Sequence, residues 1–193
     1  TEPEIIVPNQ GEINTMSVSL LRLADGRILF CYLTKSGMED WKHFNCRPWA
    51  LFSDDEGKTW SKPELMVSAP GYHVQNNDRI IQLSSEHRHA PGRLIAPMSI
   101  HRIMDYEPDG EKFTWATGFI TWRFSDDSGA SWRECDSWWA LPVESGSGLQ
   151  EPGVVELPDG RIFSWARTNI GHQWGTESRD GGLTWAPFKP LDD

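Results

Sequence analysis

The chain has 193 residues, a formal net charge of −10 and 11 tryptophans. That length allows one domain with a sizeable core, and the acidic balance argues against nucleic acid or an anionic membrane surface as partner. No apolar run is long enough to span a bilayer, and Cys31, Cys46 and Cys135 are odd in number and lack metal-ligand spacing, so buried thiols and no metal or cofactor site are expected.

Taken in order, residues 1–12 read as a leading strand or arm broken by Pro3 and Pro8. The chain opens on Thr1 with no visible signal peptide, which suggests a trimmed N-terminus. Residues 16–23 and 28–33 predict two strands joined by the turn Ala24-Asp25-Gly26-Arg27. A polar loop, 34–45, carries Lys35, Asp40 and Trp41, and a third strand beginning near Arg47 runs into Ser53-Asp54-Asp55-Glu56-Gly57-Lys58-Thr59-Trp60. This last stretch predicts a tight turn: the Asp carboxylate accepts turn N–H groups and Gly takes the positive φ. The same series then recurs. Tyr72 to Arg79 is a dense polar run entering an apolar strand, 94–100 is a second strand, 114–124 a third, and Ser125 to Trp132 repeats the turn. Glu144 to Gly148 is loop by composition, after which Gln150 to Arg161 and residues 162–167 repeat the first hairpin and Ser178 to Trp185 the turn. Gly-Arg pairs ending at Arg27, Arg93 and Arg161 stand 66 and 68 residues apart. Fixed self-similarity of this kind marks a repeat architecture. Each unit reads as four antiparallel strands, so the fold class is all-β, with about three blades of a β-propeller at roughly 13–67, 71–141 and 149–193.

Ligands of a propeller meet the starts of its inner strands. Superimposing the repeats on their Gly-Arg turns brings together Asn14-Thr15, Asn76-Asn77-Asp78-Arg79 and Gln150-Glu151. Lys35, His101 and Asn169 each follow their turn arginine by eight residues, and Arg167 stands just before Asn169. These are polar or charged residues at the ends of apolar strands, where a satisfied core would not put them.

The Ser-x-Asp-x-Gly-x-Thr/Ser-Trp turns resemble the Asp boxes, or BNR repeats, of the sialidase (neuraminidase) superfamily of six-bladed propellers. The resemblance spans nearly the whole chain and implies that these turns lie between third and fourth strands, away from the site. Glu151-Pro152-Gly153-Val154-Val155-Glu156-Leu157 through Arg167 resembles the family segment whose Glu activates a tyrosine nucleophile and whose Arg binds a substrate carboxylate. By position, Glu151 takes the first role and Arg167 the second; a plain cross-strand ion pair is the structural alternative. The family's Arg-Ile-Pro motif is replaced by Asn14-Thr15-Met16-Ser17, so one carboxylate-binding arginine is missing, and Arg47 or Arg79 would have to replace it. Asp40 and Asp78 are the two candidates for the general acid. Asn76, Asn77, Lys35 and His101 complete the substrate-binding set. The resemblance therefore implies an exo-acting glycoside hydrolase on terminal sugars of glycans, or alternatively a non-catalytic carbohydrate-binding propeller in which Trp41 and Trp115 help to hold sugar. It favours a secreted or periplasmic setting. Three blades are half a ring, so further blades are expected from the rest of a longer chain or from a second copy.

Overall fold

A computed structural model describes residues 3–37, 45–106 and 113–191. It contains thirteen strands and no helix among the described residues. The first sheet region is an antiparallel meander of β1 (Asn14–Arg22), β2 (Ile28–Ser36), β3 (Asn45–Ser53) and the short β4 (Glu64–Leu65). In the second, β5 (Tyr72–Val74) and β6 (Ile81–Gln82) both pair with β7 (Leu94–Tyr106), which is followed by β8 (Phe113–Ser125) and β9 (Arg133–Ala140). A separate sheet holds β10 (Gln150–Glu156), β11 (Ile162–Arg167), β12 (Trp174–Ser178) and β13 (Lys189–Pro190). A parallel step, Cys46–Tyr72, joins the first meander to the second. One expectation changes: β7 does not stop near His101 but pairs with β8 as far as Tyr106–Phe113. Residues 102–106 continue the ladder, opposite 117–113, where a loop was expected.

The middle strands are apolar on both faces because the sheets stack. Six of the nine residues of β2 are buried. One core, which includes Leu29, Cys31, Ala50, Ile80, Leu94 and Met98, lies between the first two meanders. A second, which includes Ile95, Ile120, Trp122, Ile162, Trp174 and Trp185, lies between the second and third. Residues 3–8 contribute Val7 to a smaller cluster, with Phe30, Tyr32 and Trp49, on the other face of β2 and β3.

All three Ser-Asp turns follow a third strand and bond in the same way. Gly57, Gly129 and Gly182 donate their N–H groups to the hydroxyls of Ser53, Ser125 and Ser178 at 2.8, 2.8 and 2.9 Å. The carboxylates of Asp55, Asp127 and Asp180 accept those hydroxyls and the N–H of Thr59, Ser131 and Thr184. Bonds led by the Thr59 N–H hold the Asp55 carboxyl down at about 2, and those led by the Ser131 hydroxyl do the same for Asp127. Stability from these turns is complete above the ordinary carboxyl range and is lost as pH falls through about 2.

The turn arginines lock neighbouring sheets together. The Arg27 guanidinium lies 4.8 Å from the Phe52 ring centroid and donates to the Ser128 carbonyl in the next Asp turn at 3.0 Å. Arg93 repeats this one unit later: it lies 4.4 Å from the Phe124 centroid, donates to the Gly181 carbonyl at 2.9 Å and pairs with Asp126 at 2.6 Å. Arg161 occupies the same place in the third unit. There Glu177 stands where the others have Phe52 and Phe124, and Arg161 bonds Asp159 and Glu177 at 2.7 and 2.6 Å.

Trp185 is buried and stacks on Trp122 with centroids 4.1 Å apart, whereas Trp60 and Trp132, at the same place in their own turns, are only partly buried. Trp185→Ala should therefore cost roughly 3–5 kcal/mol in a denaturation experiment, and Trp60→Ala less. Arg93→Met should cost roughly 1.5–3 kcal/mol. Arg22→Met, which removes an exposed pair with Glu56 and an exposed bond to the Gly26 carbonyl, should leave the midpoint nearly in place.

Candidate functional site

The starts of the inner strands share a backbone feature. Ser17, Asp78 and Glu151 have φ of 58°, 58° and 51°, a left-handed conformation that side chains with a Cβ rarely adopt. Each sits at an interruption of the ladder: between Met16 and Ser19 in β1, between β5 and β6, and between Gln150 and Gly153 in β10. Bulges re-aim side chains and gather next to functional sites, as does local backbone strain. The second bulge is tied to the first through Ser19, whose buried hydroxyl accepts the Asp78 N–H at 2.7 Å and Gln75 Nε2 at 3.2 Å and donates to the Asn76 carbonyl at 3.2 Å. Nine buried side-chain polar atoms have no hydrogen-bond partner among the described residues. Four of them, Asn14 Oδ1, Gln75 Oε1, Asn76 Oδ1 and Arg79 Nε, crowd these same strand starts. Buried polar atoms are normally satisfied, so this concentration makes the strand starts a candidate place for a polar ligand.

Four charged or titratable groups, from β2, β7, β10 and β11, meet beside these strand starts. Arg167 Nε lies 3.0 Å from Glu151 Oε2, and Arg167 also donates to Gln150 Oε1, its partner across the β10–β11 ladder. Both members of the ion pair are about half exposed, with side-chain exposures of 46 %, so the guanidinium is accessible to a ligand. His101 on β7 lies within the electrostatic reach of Arg167, Glu151 and Lys35. Burial first, then the positive charges of Arg167 and Lys35, push its imidazole down to about 4 against the opposing pull of Glu151. The ring is hydrogen-bonded to Ser99 Oγ at 3.0 Å and packs 5.3 Å from Tyr72, over which the Lys35 ammonium lies at 5.5 Å. A fixed carboxylate, a guanidinium and a neutral imidazole together can move a proton and hold an anionic or hydroxyl-rich ligand.

The remaining expected residues fall in different places. Asp78 and Asn77 are exposed at the second bulge, and Asn76 is half-buried beside them. Arg79 lies 5.6 Å from the Trp165 ring centroid. Trp165 shares its β11 face with Arg167, and Gly153 permits that placement, since a Cβ there would stand 2.2 Å from the indole. The Arg47 guanidinium is turned onto the carbonyls of Val67 and Ser68 at 2.9 and 3.1 Å, where it pins the segment after β4. Asp40 and Trp41 lie outside the described residues. Sequence reasoning missed Ser17, Ser19 and Tyr72. The available signal for Ser17 was its distance of six residues from Leu23, which matches that of Glu151 from Leu157.

A histidine depressed in the folded state gives a definite pH dependence. Unfolded, it titrates near 6.5. The stability tied to its neutral form is therefore complete above about pH 6.5 and declines as pH falls toward about 4, where the folded state also takes the proton. An NMR titration should find His101 protonating near 4, moving upward in Arg167→Gln and downward in Glu151→Gln. An unshifted His101 would mean that these groups do not share one environment.

The family described as "BNR repeat-like domain" matches residues 1–193. The chain is similar to the anhydrosialidase of Macrobdella decora, with 29 % identity over 153 residues, 72 % of this chain and 16 % of that protein. In structure it is similar to a Dyadobacter fermentans protein of unknown function, with a TM-score of 0.67 and 20 % identity over 98 % of this chain and 54 % of the other. It is also similar to the Hadza microbial sialidase Hz136, with a TM-score of 0.60 and 20 % identity over 89 % and 32 %. At such identities the two structures speak for the fold alone, and the chain spans only about half, or less, of the length of these relatives. The whole-chain match, together with the three bonded Asp turns and the all-β fold, shows that this chain belongs to the BNR repeat-like domain family, with sialidases among its relatives.

Proposed function

We propose that the chain supplies three four-stranded blades, at roughly 13–67, 71–141 and 149–193, of a six-bladed sialidase-like propeller, and that the complete protein is an exo-acting glycoside hydrolase on terminal sugars of glycans. The observation that carries this reading is the meeting of Lys35 on β2, His101 on β7, Glu151 on β10 and Arg167 on β11 beside three strand starts of positive φ. Glu151 is the carboxylate that takes a proton from a nucleophile or steadies an oxocarbenium-like transition state. Asp78, at the matching bulge of the neighbouring blade, is the second carboxylate on offer within the described residues. Arg167, with Arg79 nearby, holds an acidic group, and Asn76, Asn77 and neutral His101 hold hydroxyls.

Two features support further blades. Val155 and Leu191, on the last sheet, are 40 and 37 % exposed, and Val18 and Leu20, on the first strand, 41 and 54 %. Arg161 holds the position from which Arg27 and Arg93 clamp the next Asp turn, and its neighbour in a ring would be the Asp turn of a fourth blade.

A second reading is a carbohydrate-binding propeller without catalysis. It is favoured by the Glu151–Arg167 contact itself, which leaves the carboxylate already neutralised by a cation. The two readings separate on a panel of chromogenic glycosides. For a hydrolase, Glu151→Gln should reduce turnover by about 10²–10⁴-fold with thermal stability nearly unchanged. Sugar binding without turnover in the unaltered protein would establish the second reading.

Substrate preference gives a further test. The segment Asn14-Thr15-Met16-Ser17 has no arginine, so unless Arg79 or Arg47 fills that place a sialic acid carboxylate lacks one charge-assisted contact, which is about ten- to a hundredfold in affinity at roughly 1.5–3 kcal/mol. Ordinary α-sialosides should be poorer substrates than a uronide or a neutral glycoside. Fast release from the sialoside alone would contradict this.

A further inference from the structure

A second concave site lies on the middle sheet, apart from the Glu151 cluster. It is a cleft of about 600 Å³ walled by β7, β8, β9 and the segment 141–148. That volume is within the range of small-ligand sites and leaves room for a mono- or disaccharide. Its floor is aromatic: Phe119 and Trp138 meet edge to face with centroids 5.8 Å apart. Trp138 is 63 % exposed, in a chain that buries Trp122, Trp174 and Trp185 to 7 % or less. An indole is costly to leave in water and has an apolar face with a polar edge. Around it the cleft is lined by Arg102, which can donate to hydroxyls, by Ser145, whose hydroxyl donates to Asn169 and keeps one lone pair to accept, and by Glu134. The Glu134 carboxylate is fixed as an acceptor by Arg123 and by the Thr121 hydroxyl at 3.0 Å.

The cleft is connected to the Glu151 cluster. His101 and Arg102 are successive residues of β7 and so point to opposite faces of one strand. Ser145, in the cleft wall, bonds Asn169 Oδ1 at 2.6 Å, two residues beyond Arg167.

We propose that this cleft is a second sugar-binding subsite, in which the Trp138 indole lies against the apolar face of a pyranose ring and Arg102 and Ser145 bind its hydroxyls. A flat aromatic surface with hydroxyl-binding groups around its edge matches a sugar ring, which is apolar on its faces and polar at its rim. An apolar peptide would leave Arg102 and Glu134 unused. The proposal rests on the glycan reading above for the class of ligand and for nothing else.

The test is calorimetric titration of the full protein with lactose, 3′-sialyllactose and a digalacturonide. Trp138→Ala, Trp138→Phe and Arg167→Ala are compared with the unaltered protein. At least one saccharide should bind. Trp138→Ala should weaken it about tenfold, Trp138→Phe should keep most of the affinity, and a Trp138-dependent binding event should persist in Arg167→Ala. Binding that disappears in Arg167→Ala and is untouched by Trp138→Ala overturns the subsite while leaving the Glu151 reading in place. No binding of any saccharide overturns both. A cleft that takes an apolar dye but yields it to none of the sugars is not a sugar site, and that result overturns the subsite alone.

Discussion

The arginine that closes each inner hairpin is the contact on which the stacking depends. Arg27 and Arg93 each lie on an aromatic ring of their own sheet and donate across to a carbonyl in the next Asp turn. In each of those turns the Ser and Asp side chains hold the backbone, and the carbonyl of Ser128 or Gly181 accepts from the arginine. The Asp turn and the Gly-Arg turn are therefore two halves of one device, and neither makes full sense alone. Two apolar cores fill the space that the clamps define. Because the clamps sit at the turn end of the inner strands, they fix the sheets relative to one another at the end opposite the bulges. The bulge end is left free to carry strained backbone and unsatisfied polar atoms, and the cooperative cost of that strain is borne by the packed remainder.

Much of this was legible in the chain. The spacing of the Gly-Arg pairs and the triple Ser-x-Asp-x-Gly pattern specified strand order and turn position, because a hydrogen-bonding turn needs particular residues at particular offsets, but not the split of the second inner strand into β5 and β6. What the arginines touch was not legible, since the partner carbonyls of Ser128 and Gly181 lie far off in sequence and carry no residue signature. The bulges were hidden for a related reason: Ser17, Asp78 and Glu151 are ordinary residues for a β-strand start, and only backbone geometry reveals their φ. Arg47 shows the opposite error. Its position beside a polar loop suggested a ligand contact, but pairing of β3 with β4 turns its guanidinium onto Val67 and Ser68 instead. The length of the β7–β8 hairpin was hidden because its polar residues resemble a loop while the strands keep pairing.

In the proposed site, charge and burial act against each other on His101. Neighbouring Arg167 and Lys35 add to the effect of burial in keeping the imidazole neutral, and Glu151 opposes them. A neutral imidazole both donates and accepts hydrogen bonds, which suits hydroxyl recognition. Glu151, by contrast, remains half exposed beside its arginine, so an incoming anionic group would compete with the carboxylate for the same guanidinium. Ligand binding on this account loosens the ion pair and frees the carboxylate to accept a proton.

A crystal structure of the complete protein with a bound glycan product tests that account most directly. It should show the sugar beside Glu151, Arg167 and His101, with Arg167 turned from Glu151 toward the ligand and hydroxyls on Asn76 Oδ1 or its neighbours. A sugar bound at the Asp-turn rim, with the Glu151–Arg167 contact intact and the bulges empty, would contradict it.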